Sequence, residues 1–207
     1  MTGRERVLNT LAFRGSDRIP LDIWVLPAAH LAHGKALEEL RARYADRLDI
    51  ASFVGPFDHG FTPEYYEVGT YTDPWGSRWT NIQAGMVGEV KHPVFADYGA
   101  MKGYTPPTAR FLREWEANKP ALAERIAAAR RSGKFVIGGW VSVFERFQFL
   151  RGTEDLYCDI ALEEPEMFAM MDLAMEFLRV YVDAWLTMDV DAVPFGDDWG
   201  TQRSLLI

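Results

Sequence analysis

Two adjacent carboxylates, Asp197 and Asp198, are the residues of this sequence best placed to do chemistry. They follow an apolar run at 192–195, and Trp199 and Gln202 come directly after them. This order predicts a buried strand that opens into a polar loop. In folds built from βα units, the loops at the carboxyl ends of parallel strands carry the catalytic and binding groups. We therefore predict that Asp197 and Asp198 are catalytic, as acid and base, and that Trp199 and Gln202 bind the substrate.

Each of these residues also has a structural explanation. An aspartate that follows a strand can cap the next helix or accept hydrogen bonds from loop amides. A tryptophan in the same loop can belong to the core instead of stacking on a planar ligand. We favour a functional role for the aspartates, because adjacent carboxylates at a strand end serve no packing purpose.

Two further pairs follow predicted strands and are expected at the same rim. Glu145 and Arg146 come after the third predicted strand, and Asp58 and His59 come after the second. Since the carboxyl ends of parallel strands meet at one edge of a sheet, we predict that all four bind substrate. The pKa of a histidine suits proton transfer near neutrality. An ion pair is the alternative for the first pair.

A metal site is not predicted within these residues. Cys158 is the only cysteine, and its apolar neighbours predict that it is buried and inert. His30 and His33 stand three residues apart on a predicted helix, a spacing that can bind a metal, but no third ligand is evident nearby.

Strands and helices alternate along the chain. The predicted strands are 21–25, 48–54, 134–141 and 192–195, and the predicted helices are 2–14, 31–44, 111–131, 144–152 and 153–188, the last broken at Pro165. Residues 57–100 interrupt this rhythm with alternating Thr, Tyr, Trp and Val around several glycines, which predicts a β-hairpin insertion. The pattern is typical of a parallel α/β fold with right-handed crossovers.

Several short segments, spread over the whole chain, occur in a distinctive order. They are Thr2-Gly-Arg-Glu-Arg-Val-Leu-Asn-Thr-Leu11, Asp17-Arg-Ile-Pro20, Asp73-Pro-Trp-Gly76, Gly152-x-Glu-Asp-Leu156, Pro165-Glu166 and Gly196-Asp-Asp-Trp-Gly-Thr-Gln202. Their order and spacing resemble the uroporphyrinogen decarboxylase superfamily, whose members fold as TIM (βα)8 barrels. The resemblance implies that residues 1–207 are the N-terminal portion of one such barrel domain, with about the first four strands plus the hairpin insertion, because a complete barrel needs about 250 residues.

The resemblance also implies an enzyme, either a carboxy-lyase or a corrinoid-linked methyltransferase. The decarboxylase has arginines after its first strand that grip substrate carboxylates, whereas this sequence has Val25-Leu-Pro-Ala-Ala-His30 there. After the second strand, Gly55-Pro-Phe57 stands where the decarboxylase has an aspartate, and Asp58 is the nearest carboxylate. We therefore expect one-carbon transfer between a corrinoid and a thiol or folate acceptor.

Two alternatives stay open. One is decarboxylation of uroporphyrinogen, with Asp197 or Asp198 taking the pyrrole contact. The other is a non-catalytic half-barrel, completed by a partner chain or by a second copy as a homodimer. In the methyltransferases a zinc ion activates the acceptor thiol, and its ligands are expected outside this chain. The partner of the enzyme is then a small molecule or a corrinoid protein.

Composition excludes other classes. With 48% hydrophobic and 25% charged residues the chain is an ordinary globular one. Its net charge of -8 argues against a nucleic-acid partner. No apolar run approaches the roughly 20 residues that cross a bilayer, so no membrane association is predicted. The single cysteine rules out an intramolecular disulfide and predicts a cytoplasmic protein.

Overall fold

The computed structural model describes residues 1–55 and 63–206, and these form a mixed α/β structure. The helices are α1 (Gly3–Leu11), α2 (Pro27–Tyr44), α3 (Thr108–Arg131), α4 (Phe144–Arg151), α5 (Thr153–Leu162) and α6 (Pro165–Leu186). The strands are β1 (Ile50–Phe53), β2 (Gly69–Thr72), β3 (Arg78–Asn81), β4 (Glu89–His92) and β5 (Phe135–Gly138). Among the described residues, no helix is both long and apolar enough to cross a bilayer.

A parallel sheet organises the molecule. β1 pairs with β5 in parallel, with Ile50 opposite Phe135, which confirms the second and third predicted strands. The fourth predicted strand is present only as two parallel bridges, Ile137 to Ala192 and Val141 to Phe195. Pro194 lies between these bridges and has no N–H to donate, so a continuous ladder cannot form there. The parallel direction is as predicted.

The prediction of a first strand at 21–25 is wrong. The Asp49 N–H donates to the Leu21 carbonyl at 2.8 Å, but the Leu21 N–H donates to the Asp49 carboxylate rather than to a neighbouring strand. The alternation of apolar and polar residues is present, yet Trp24 remains 81% exposed. Alternation alone therefore does not make a strand: within the described residues, no ladder of backbone hydrogen bonds pairs this segment with β1.

The predicted hairpin insertion is confirmed and has three strands. β2, β3 and β4 form an antiparallel sheet. The Asp73-Pro-Trp-Gly76 turn joins β2 to β3, and its first residue fixes it. The Asp73 Oδ1 atom accepts hydrogen bonds from the N–H groups of Trp75 and Ser77, and Oδ2 accepts one from the Trp79 indole.

Helices α1 and α3 pack against β5, and α6 packs on α3. A capping box of Thr2 and Glu5 begins α1, and Pro165 divides α5 from α6, both as predicted. The core joins α3 and α6 through large apolar side chains: Phe111, Trp115, Leu122, Ile126, Met170, Phe177, Tyr181 and Trp185. The Trp185 ring lies directly against Gly138, where a Cβ atom would stand 2.4 Å from it. A glycine at the end of β5 thus allows helix and sheet to approach closely.

Candidate functional site

The loops that follow β5 and the 192–195 segment meet at one place. The Gly196 N–H donates to the Val141 carbonyl at 2.9 Å, next to the bridge between Val141 and Phe195. The Trp140 ring covers Gly196 so closely that a Cβ atom there would lie 2.3 Å from it. As predicted, the carboxyl ends of these two segments share an edge, and the loop residues are brought together there.

Asp197 holds the start of α4. Its carboxylate accepts hydrogen bonds from the Val143 N–H at 2.9 Å and the Glu145 N–H at 3.0 Å. A negative charge at a helix N-terminus also interacts favourably with the helix dipole. The structural explanation therefore applies to Asp197, which fits a positioning role better than the catalytic role predicted for it.

Glu145 is a half-buried carboxyl at the centre of the site. Its Oε2 atom lies 2.7 Å from the Ser142 hydroxyl, which is itself buried. Burial raises the pKa of Glu145, a hydrogen bond donated by Ser142 would lower it, the carboxylates of Asp198 and Asp197 raise it, and the Arg146 charge lowers it, with a net rise. A carboxyl group with a raised pKa is suited to donate a proton near neutral pH.

Asp198 is the exposed carboxylate of the site. It lies close enough to Glu145 to raise the pKa of that carboxyl, whereas its own side chain is open to solvent. Two carboxyl groups in different surroundings can take different roles in proton transfer. The pair that the geometry supports is thus Glu145 and Asp198, rather than the two adjacent aspartates.

Trp199 is part of an aromatic stack. Its ring lies on Phe144 with centroids 4.5 Å apart and planes 14° apart, and Phe144 stacks in turn on Tyr157 at 6.1 Å. Trp199 is still 49% exposed, and Trp140 is 46% exposed. Two half-exposed indoles therefore stand beside the carboxyl groups. Stacking on the core accounts for the inner face of Trp199 and leaves part of the ring accessible to a ligand.

Arg146 does not reach this edge, and its predicted role in substrate binding is wrong. Its side chain is completely buried, with Nη1 3.8 Å from the Asp73 carboxylate. The guanidinium lies 5.0 Å from the Trp75 ring centroid and 5.4 Å from that of Phe149. Successive helical residues point in different directions, so Glu145 faces the site while Arg146 faces the hairpin sheet.

Gln202 does not join the site. Gln202 is exposed in a small turn closed by the bridge between Gly200 and Leu205. Asp58 and His59 lie outside the described residues, so the structure leaves that prediction as it stands.

Ser142 and Trp140 are site residues that the sequence analysis missed. The Trp140 indole N–H donates to the Ser142 hydroxyl at 3.2 Å, and this hydroxyl also lies 2.7 Å from the Gly196 carbonyl. A signal was present, because Ser142-x-x-Glu145 has the pattern of a capping box. In the structure the two side chains bond to each other, and Asp197 supplies the cap instead.

The described residues do not fit a zinc ion. In 1–55 and 63–206 there is no group of three or more His, Cys, Asp or Glu side chains that could hold a metal. Cys158 lies exposed on α5, so the prediction that it is buried is wrong. His30 and His33 lie exposed on α2.

The arrangement as a whole can move protons and bind a flat or cationic group. Glu145 has the properties of a proton donor, Asp198 those of a proton acceptor, and Trp140 and Trp199 offer exposed aromatic surface. Comparisons with protein-family models, with curated proteins and with solved structures find no match to this chain.

Proposed function

We propose that this chain belongs to an enzyme of the uroporphyrinogen decarboxylase type that transfers a one-carbon unit between a corrinoid substrate and a thiol or folate acceptor. The observation that carries the proposal is the pairing of a half-buried Glu145 of raised pKa with an exposed Asp198 where two parallel strand segments end. The order of the sequence segments supports the family, and the parallel pairing of β1 with β5, against which α1 and α3 pack, supports a (βα)8 barrel.

The two carboxyl groups match the proton requirements of such a transfer. When a methyl group passes from a folate nitrogen to the corrinoid substrate, the N–C bond breaks with its electron pair on nitrogen, a bond from the methyl group to the corrinoid forms, and the nitrogen takes up a proton from Glu145. When a methyl group passes from the corrinoid substrate to a thiol, the S–C bond forms, the bond from the methyl group to the corrinoid breaks with its electron pair on the corrinoid, and the thiol proton passes to the Asp198 carboxylate. General acid–base catalysis of this kind contributes roughly 10²- to 10⁴-fold to a rate.

Decarboxylation of uroporphyrinogen is the weaker alternative. Its substrate carries many carboxylates and needs cationic groups to bind them. The site instead presents Glu145, Asp197 and Asp198, while Arg146 is buried under the hairpin. The run 25–30 contains no arginine. Formation of coproporphyrinogen from uroporphyrinogen by the protein would decide for this alternative.

A half-barrel completed by a partner or a second copy is the alternative from a different class. Large apolar side chains are exposed at Trp24, Val54 and Phe195, the last at 65%. Light scattering tests this alternative. A monomer that unfolds cooperatively would count against it, and a dimer would favour it.

The test of the proposed function is a methyl-transfer assay with methylcobalamin as donor and a series of thiols and folates as acceptors. Asp198→Asn should lower the rate with thiol acceptors, and Glu145→Gln the rate with folate acceptors, each about a hundredfold or more. Asp172→Asn is the matched control, because Asp172 is an exposed carboxylate on α6, and it should leave the rate unchanged. Absence of turnover with every acceptor, or unchanged rates in both site variants, would contradict the proposal.

A further inference from the structure

The Ser142 hydroxyl has three polar neighbours. The Trp140 indole nitrogen is 3.2 Å away, the Glu145 Oε2 atom 2.7 Å and the Gly196 carbonyl oxygen 2.7 Å. Ser142 is buried, with 2% of its surface exposed. The hydroxyl oxygen is bonded to Cβ and can donate one hydrogen bond and accept two. Three polar neighbours are therefore the most that it can bind.

The number of protons decides which neighbour donates. The indole nitrogen only donates, and a carbonyl oxygen only accepts. The single hydroxyl proton can serve either the Gly196 carbonyl or the Glu145 carboxyl. If it points to Glu145, the Gly196 carbonyl has no proton from Ser142. Both 2.7 Å contacts are hydrogen bonds only if the Glu145 carboxyl carries a proton of its own and donates it.

We infer that Ser142 is a positioning residue that holds Glu145 in its protonated form: Glu145 Oε2 donates to the Ser142 hydroxyl, and this hydroxyl donates to the Gly196 carbonyl. The inference refines the proposed function, because it identifies what keeps the acid of the site protonated and oriented.

A Ser142 hydroxyl that donated to Glu145 would lower the pKa of that carboxyl, whereas burial and the neighbouring carboxylates raise the pKa and agree with this assignment. The loop 196–199 contributes the carboxylates of Asp197 and Asp198, and both oppose a further negative charge on Glu145. The hairpin side contributes Tyr65, whose pKa burial raises well above its usual range, with Glu145 among the smaller causes. On α4, Arg146 favours the charged form, but its guanidinium is directed to Asp73.

The test is a pH titration of the full chain by NMR, with glutamate labelled with ¹³C at the side-chain carboxyl. The Glu145 signal is the one lost in Glu145→Gln. In the wild type it should titrate above the ordinary glutamate pKa of about 4.3. Ser142→Ala should lower this pKa, because the protonated carboxyl loses its acceptor. Ser77→Ala is the matched control, since it removes another buried hydroxyl that donates to a carbonyl, and it should leave the titration unchanged.

The opposite arrangement predicts the opposite sign. If Ser142 donates to an ionised Glu145, Ser142→Ala removes a hydrogen bond that favours the charged form, and the pKa rises. A rise, an unchanged pKa, or a wild-type pKa of about 4.3 would overturn the inference. If Ser142→Ala does not fold, the wild-type pKa of Glu145 decides: a value above about 4.3 is expected, and a value at or below it overturns the inference. None of these results depends on methyl transfer, so a failed assay leaves them valid.

Discussion

The Asp197 carboxylate accepts a hydrogen bond from the Glu145 backbone N–H at 3.0 Å, across 52 residues of sequence. This contact fixes the first turn of α4 to the loop that follows the 192–195 segment. It also brings the side chains of Glu145 and Asp198 to the same edge. The arrangement of the site thus depends on a carboxylate that binds two backbone N–H groups of another segment.

Replacement of Asp197 should destabilise the fold. Asp197→Ala removes the cap of α4, which costs about 1 kcal/mol and should lower the melting temperature by roughly 2–4 °C for a chain of this size. Asp198→Ala is the control and should leave the melting temperature unchanged, because that side chain is exposed. Thermal unfolding of both variants measures the difference, and equal effects would contradict the capping role.

Glu145 should make stability depend on pH in a particular direction. Burial raises the pKa of Glu145 in the folded protein. Its contribution to stability is therefore complete at pH values below its pKa in the unfolded chain, about 4.3, and is lost as the pH rises through its pKa in the folded protein. Glu145→Gln stays neutral and its amide can donate to Ser142. The variant should therefore melt at a higher temperature than the wild type at pH 8, and the gain should shrink towards pH 4. A gain that is largest at pH 4 would refute this.

The buried pair of Arg146 and Asp73 should be costly to break. Arg146→Met leaves a buried carboxylate without its cation, and removal of one member of a buried pair costs about 3–5 kcal/mol. Arg110→Met is the control, since Arg110 forms a half-exposed pair with Glu114 on α3 and such pairs contribute less than about 1 kcal/mol. Urea denaturation gives both free energies of unfolding. Similar values for the two variants would show that the buried pair is not important.

Gly138 should not tolerate a side chain. A Cβ atom there would lie 2.4 Å from the Trp185 ring and 2.7 Å from Val190. Gly138→Ala should cost about 1–3 kcal/mol, as overpacking of a core usually does. Gly34→Ala is the matched control, because Gly34 lies in α2 with no atom within 4 Å of the added Cβ, and alanine favours helix there. A Gly138→Ala protein as stable as the wild type would contradict the close packing.

Local signals in the sequence predicted much of the fold. The Thr2 capping box, the turn at Asp73 and the break at Pro165 each depend on neighbouring residues, and all three appear in the structure. The edge at which the site lies could be predicted in the same way, because the sequence itself shows where each apolar run ends in a polar loop.

The side chains that face each other at this edge could not be predicted in the same way. The cap from Asp197 to α4 and the inward direction of Arg146 depend on partners more than 50 residues away. The segment 21–25 alternates like a strand, but in the described part of the chain it forms no ladder of backbone hydrogen bonds with β1. Ser142 and Glu145 have the spacing of a capping box. Their side chains bond to each other instead of to the helix backbone, because the distant Asp197 caps α4.

The pairing of β1 with β5 also has a consequence for folding. These strands are neighbours in the sheet although about 85 residues separate them in sequence, and the hairpin sheet and α3 lie between them. Contacts of such long range close late, because the intervening chain loses entropy before the pairing stabilises it. We expect the hairpin sheet to gain protection from hydrogen exchange first and the parallel pair to follow. During that interval the apolar edge of β1 is open to other chains, so the yield of refolding should fall as the protein concentration rises.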